Sequence, residues 1–116
     1  MYRDKPGTRV FAAMDGGEIV GFSLLSWDHD GPPEFMVALP PDRIGGGLGK
    51  TVVHLTLAQG FSREETGRIR LIERKNNLRA QALYESLHFR RTGEITKDVQ
   101  GVPVEFFMME IARVDF

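Results

Sequence analysis

Residues 44 to 51, Ile-Gly-Gly-Gly-Leu-Gly-Lys-Thr, constrain this chain more than any other stretch, because a glycine cluster there runs straight into a segment of helical apolar spacing. Successive glycines let the main chain turn tightly and bring bare amides close to an anion. The first turn of the following helix adds N–H groups without internal partners and a partial positive charge. Together they read as a cradle for a phosphate-bearing ligand, a diphosphate fitting best. The plainer reading is a flexible loop followed by a helix start.

Two better-known phosphate patterns fail on the letters. A Walker loop ending in Gly49-Lys50-Thr51 needs its leading glycine where Ile44 stands. The dinucleotide fingerprint, begun at Gly45 and Gly47, needs glycine or alanine where Lys50 sits. Neither a P-loop nucleotidase nor a dehydrogenase is supported.

The flanking elements follow from periodicity and turn chemistry. Residues 9 to 14 read as a strand, Asp15-Gly16-Gly17 as a turn, and Glu18 to Trp27 as the returning strand of a hairpin. Glu34 to Leu39 is a short apolar run between prolines and reads as a third strand. After the glycines, Leu48, Val52 and Leu55 recur at helical spacing, predicting a helix from about Gly47 to Glu65. Ile69, Leu71 and their neighbours predict a strand that crosses back in parallel, completing a β-α-β unit. Asn76-Asn77 supplies a helix start, with Ala80, Leu83, Tyr84 and Leu87 on one face. Residues 89 to 97 and 102 to 114, joined at Gln100-Gly101, close the chain as an antiparallel pair. The order is β-β-β-α-β-α-β-β, an α/β sheet whose glycine loop sits at the carboxyl end of a strand, where open sheets bind ligands.

Length and composition bound the rest. With 116 residues the chain is expected to form a single domain over 1–116. Its net charge of -1 and dispersed basic residues give no argument for nucleic acid, and no apolar run reaches the roughly 20 residues of a membrane helix. The lack of cysteine removes disulfides, a thiol nucleophile and thiolate metal sites. His29, His54 and His88 show no ligand spacing, so no metal is expected. No signal peptide is visible, and a cytoplasmic location is the default expectation.

Two ordered blocks carry a resemblance. The stretch Leu39-Pro40-Pro41-Asp42-Arg43-Ile44-Gly45-Gly46-Gly47-Leu48-Gly49-Lys50 matches, apart from one position, a loop of the form Gln/Arg-x-x-Gly-x-Gly/Ala after a strand and a proline. Asn77-Leu78-Arg79-Ala80-Gln81-Ala82-Leu83-Tyr84-Glu85-Ser86-Leu87-His88-Phe89 matches Asn-x-x-Ala-x-x-Leu-Tyr-Glu-x-Leu-Gly-Phe. In these blocks the chain resembles the GNAT family of N-acetyltransferases from Val10 onward. The resemblance implies the acyl-CoA N-acyltransferase fold, a mixed, mostly antiparallel sheet with two main helices, here lacking the family's first strand and first two helices. Ile44 stands where the loop's leading Gln/Arg is expected, with Arg43 one residue early, and His88 stands where a glycine usually ends the second helix.

What the resemblance implies is acetyl-CoA as co-substrate and an amine, small-molecule or peptide, as acceptor. The backbone of Ile44, Gly45, Gly46, Gly47, Leu48, Gly49 and Lys50 would hold the pyrophosphate, and main-chain groups near Leu39 would pair with the pantetheine arm. Asn77 matches a contact to that arm and Tyr84 the tyrosine placed near the thioester sulfur. Arg79, Lys50 and Arg74 are candidate partners for a cofactor phosphate and read equally as solvated surface charges. For the base, Glu34 starts the strand before the glycine loop, and Glu73 replaces a usually apolar residue on the next strand; both also read as ordinary charges at strand ends.

Amine acetylation needs a neutral nucleophile, a donor for a developing oxyanion and a proton for the departing thiolate. A strand-end amide near Leu39 is the candidate donor, a contribution of about 3 to 4 kcal/mol in measured cases. Proton transfer from a phenol to a thiolate is uphill by roughly 2 kcal/mol in water. At pH 7 freeing an α-amino group costs about 1.4 kcal/mol and a lysine about 4.6, so a base matters more for the latter. With no cysteine to form a covalent enzyme intermediate, direct transfer is the leading expectation. The alternative is a non-catalytic acyl-CoA sensor or partner-binding domain, and a homodimer would cover the sheet edge left by the short N-terminus.

Overall fold

The hairpin around Asp15-Gly16-Gly17 forms from β1 (Thr8–Asp15) and β2 (Glu18–Ser26) in a computed structural model, which describes residues 7–27, 31–40 and 47–116. It is followed by β3 (Glu34–Ala38), α1 (Leu48–Phe61), β4 (Arg68–Arg74), α2 (Leu78–Ser86), β5 (Arg90–Val99) and β6 (Val102–Ala112), with a terminal 3-10 turn at Arg113–Asp115. This is the order expected from the sequence. The strands form one sheet in the order β1-β2-β3-β4-β6-β5. Every neighbouring pair is antiparallel except β3 and β4, which run parallel because α1 carries the chain back.

Period-two alternation sorts the strands into two faces. Leu25, Phe35, Ile69, Leu71, Met109 and Ile111 cluster with Val53, Leu57 and Phe61 of α1 and Tyr84 of α2, so both helices cover one side. Leu25, Ile69, Leu71 and Met109 are at most 2% exposed, and each such side chain contributes roughly 1.5 to 3 kcal/mol by leaving water. The intervening residues make the opposite face, where Phe22 and Met36 stay exposed and Glu34 pairs with Arg70.

α1 ends four residues earlier than its periodicity suggests. Ser62 caps it, its N–H bonding to the Ala58 carbonyl at 3.0 Å and its hydroxyl to the Gln59 carbonyl at 2.6 Å. The loop that follows is held from afar: the Arg113 guanidinium donates to the carbonyls of Arg63 and Thr66, and the Arg113 N–H to that of Gly67. α2 ends as a Schellman turn. The Phe89 N–H reaches the Tyr84 carbonyl and the His88 N–H that of Glu85, both at 3.0 Å, with His88 held left-handed at φ 77.

Candidate active site

The parallel pair β3–β4 is joined only at its start. Glu34 lies opposite Arg70, whose N–H donates to the Pro33 carbonyl at 3.0 Å. Further on, β3 stays zipped to β2 as far as Phe22 opposite Ala38, and β4 to β6 as far as Arg74 opposite Phe106. Each strand follows its antiparallel partner, so the sheet opens between their carboxyl ends. A cavity of about 270 Å³ fills the opening, bounded by Val37 and Leu39 of the β3 side, Glu73 of β4, Gly49 and Val53 of α1, and Asn77 and Tyr84 of α2.

α1 aims its amino end at this cavity. Gly47 takes the N-cap position in the left-handed region, φ 87, and offers no side-chain cap. The first intrahelical donor is Thr51, whose N–H and hydroxyl both reach the Gly47 carbonyl at 3.0 Å. The amides of Leu48, Gly49 and Lys50 therefore have no partner within the helix. No acidic residue occupies the first turn to oppose an anion. Buried Gly49 puts this turn in the cavity wall, so these amides, unpartnered within the helix, and the opening between the strands form one continuous site suited to a diphosphate and the arm behind it.

Across the cavity, Glu73 is fixed through one oxygen. Its Oε2 accepts from the Arg74 N–H at 3.1 Å and from Asn77 Nδ2 at 3.2 Å, while Oε1 has no protein partner among the described residues. Asn77 is doubly employed, since its carbonyl oxygen caps α2 by accepting the Ala80 N–H at 3.2 Å. Burial raises the Glu73 carboxyl above the usual carboxylate range, against the two hydrogen bonds and the Arg74 charge. Burial, and secondly the Glu73 charge, also raises the Tyr84 phenol, which stays protonated at neutral pH. Its ring is clamped edge-on by Phe35 and Phe89, with centroids at 6.3 and 5.5 Å.

A larger cavity of about 360 Å³ lies between β1 and α1, beside the Ser23–Thr56 hydroxyl pair at 2.7 Å. Among the described residues no titratable side chain lines it, whereas Glu73 and Tyr84 line the smaller one. Among the described residues no group of three or more His, Cys, Asp or Glu is placed to hold a metal, and no helix is long and apolar enough to cross a membrane.

The model of the acetyltransferase (GNAT) family matches residues 1–89. The chain belongs to that family. It is thus an acetyl-CoA-dependent N-acetyltransferase. No curated protein matches the sequence. Among solved structures, spermidine N-acetyltransferase from Vibrio cholerae in complex with CoA and spermine is similar over 94% of this chain and 68% of its own, at 21% identity and a TM-score of 0.81. RimJ from Mycobacterium smegmatis in complex with CoA-disulfide matches 94% of this chain and 55% of its own, at 20% identity and TM-score 0.84. A ribosomal-protein-alanine N-acetyltransferase from Brucella melitensis matches 92% and 70%, at 19% identity and TM-score 0.79. At these identities the likeness concerns the fold.

Within this acetyltransferase the expected site residues separate by position. Leu39, Gly49, Glu73, Asn77 and Tyr84 meet around the cavity, and Gly47, Leu48 and Lys50 lie on the helix turn beside it. Ile44, Gly45 and Gly46 lie outside the described residues. Arg79 is exposed on the first turn of α2 and does not line the cavity. Glu34 sits at the paired end of β3, 3.8 Å from the Arg70 guanidinium and about 13 Å of strand from Ala38. Sequence reasoning missed Gln81, which is 2% exposed. The available signal was its place on the stripe Asn77, Ala80, Gln81, Tyr84, where a polar residue among core positions calls for buried partners.

Proposed function

We propose that this chain, a single catalytic domain over 1–116, moves the acetyl group of acetyl-CoA to a primary amine by direct attack, with Glu73 accepting the amine proton and Tyr84 donating to the departing sulfur. One observation carries the reading: a carboxylate held twice through Oε2, with Oε1 unpartnered among the described residues, shares a cavity with a buried phenol at the open amino end of α1. Acetyl-CoA supplies the activated acyl group. The chain supplies everything else. The amides of Leu48, Gly49 and Lys50, with the glycines before them, hold the diphosphate; main-chain groups at Leu39, just past the last paired residue of β3, receive the arm and donate to the reacting carbonyl.

The raised carboxyl of Glu73 is a stronger base than a solvated glutamate, which narrows the gap to an ammonium group. The raised phenol of Tyr84 keeps its proton and serves as a hydrogen-bond donor to the departing sulfur, whose own proton affinity rises in the same dry surroundings. Glu34, salt-bridged to Arg70 at the closed end of the strand pair, acts there as a structural charge. A homodimer covering exposed apolar sheet surface belongs to the same proposal, and sedimentation velocity decides it.

The deciding experiment follows thiol release from acetyl-CoA with an amine panel that includes a polyamine and an alanine-initiated peptide. Glu73→Gln and Tyr84→Phe are each expected to lower kcat by about 10²-fold or more, the usual scale for a positioned acid or base. Unchanged turnover in Tyr84→Phe refutes the donor role, and unchanged turnover in Glu73→Gln refutes the base.

A further inference from the structure

Gln81 is buried on α2, and its amide is fully committed. Nε2 donates to the carbonyls of Arg74 and Lys75, both at 2.9 Å, and Oε1 accepts from Arg91 Nη2 at 3.0 Å. The orientation of the amide is dictated, because a guanidinium only donates and a carbonyl only accepts. Arg91 is itself seated, 4.1 Å over the Phe107 ring and 3.6 Å from Glu85. The Arg74 carbonyl also takes the Asn77 N–H at 3.0 Å. Arg74 is the residue whose own N–H grips Glu73 Oε2. Two dihedrals separate that N–H from its carbonyl, so pinning one restricts the other.

We propose that Gln81 is a positioning residue for the reaction: by tying the Arg74 and Lys75 carbonyls to α2, with Arg91 setting its amide, it holds the Arg74 N–H against Glu73 and aims the free carboxylate oxygen into the cavity. This rests on the reading of Glu73 as the base. Without Gln81 the turn loosens, the carboxylate loses a donor to its charged form, and its proton affinity rises. The charged or titratable groups facing Glu73 are Tyr84 from α2 and Arg74 beside it on β4. Among the described residues, β3 with the residue after it and α1 present Val37, Ala38, Leu39, Gly49 and Val53 to the cavity, none of them titratable, and β6 presents Phe107, with Lys75 over its ring.

The test measures kcat/KM against pH, with thermal melts, for wild type, Gln81→Leu, Arg91→Ala and Glu73→Gln. Gln81→Leu is expected to move the rising acid limb up by on the order of one pH unit, about a tenfold loss below the limb. Arg91→Ala should move it the same way by less, with KM for acetyl-CoA unchanged. A lowered melting temperature with the limb unmoved in Gln81→Leu overturns the positioning role. Should Gln81→Leu fail to fold, Arg91→Ala decides on the same criterion. Wild-type kcat/KM in Glu73→Gln overturns the parent reading instead, whereas its loss beside unmoved limbs in the other two overturns the role of Gln81 alone.

Discussion

Asn77 joins the start of α2 to the Glu73 carboxylate: its Nδ2 donates to Glu73 Oε2 at 3.2 Å while its Oδ1 accepts the Ala80 N–H at the same distance. Two substitutions separate these duties. Asn77→Ala removes both and is expected to cost about 1 kcal/mol of stability through the lost cap, and to move the acid limb of kcat/KM to higher pH. Asn77→Asp keeps a good cap but sets a second carboxylate against Glu73, so the limb should move further while the helix holds. Thermal melts read the cap and pH–rate profiles read the carboxylate. A limb that stays put in both variants removes Asn77 from the site.

In its proposed role as base, Glu73 ties activity to stability with opposite signs. Burial raises its folded pKa above the unfolded value near 4.5, so between the two the folded state binds the proton more tightly. Folding stability is then greatest below the unfolded value and falls as pH rises through the folded one, the range in which the proposed base becomes competent. Glu73→Gln, neutral throughout and still able to accept from Arg74 and Asn77, should melt above wild type at pH 8 and level with it at pH 4. The gain should be modest, because the carboxyl is only half-buried and water screens it. Equal melting temperatures at pH 8 contradict the desolvation account.

The strand and helix order was legible because each element announced itself locally: glycine turns, alternation in the hairpin, helical spacing after Gly47, and the Asn77 cap. The end of α1 was not. Ser62 to Glu65 is ordinary helix-compatible sequence, and the last turn is closed by bonds the letters do not announce, the Ser62 hydroxyl on the Gln59 carbonyl and the Arg63 N–H on that of Gly60, while Arg113, some fifty residues on, holds the Arg63 and Thr66 carbonyls of the loop beyond. The same limit governs the site. Tyr84 and Asn77 stood out through the spacing of one block, whereas Gln81 gained its meaning only when the carbonyls of Arg74 and Lys75 and the guanidinium of Arg91 converged on it. Choosing between Glu34 and Glu73 likewise needed the divergence of β3 from β4, a property of their outer partners.

His88 occupies the left-handed position that closes α2, φ 77, where a side chain with a Cβ costs about 1 to 2 kcal/mol. The surrounding bonds, Phe89 N–H to the Tyr84 carbonyl and His88 N–H to that of Glu85, involve only the backbone and survive substitution. After allowing for the extra freedom glycine has when unfolded, His88→Gly should stabilise by about 1 kcal/mol, roughly 4 °C in melting temperature. Because His88 is exposed and absent from the cavity wall, kcat/KM should not change. A lower melting temperature would show that the imidazole makes compensating contacts.

Gly21 on β2 controls where β3 delivers its end. A Cβ at this position would stand 2.6 Å from the Ala38 carbonyl oxygen and collide with the Leu39 side chain. The Leu39 tip can swing aside, but the Ala38 oxygen belongs to backbone paired with Phe22, so relief requires moving the strand end. Overpacking of this kind costs about 1 to 3 kcal/mol. The displaced segment is the wall of the cavity opposite Glu73, where the cofactor arm is expected to pair at Leu39. Gly21→Ala should therefore raise KM for acetyl-CoA several-fold with a smaller change in kcat, since Glu73, Asn77 and Tyr84 sit on other elements and keep their mutual geometry. Calorimetric titration with CoA checks the same point without turnover. Wild-type CoA affinity alongside a lowered melting temperature would detach the end of β3 from cofactor binding.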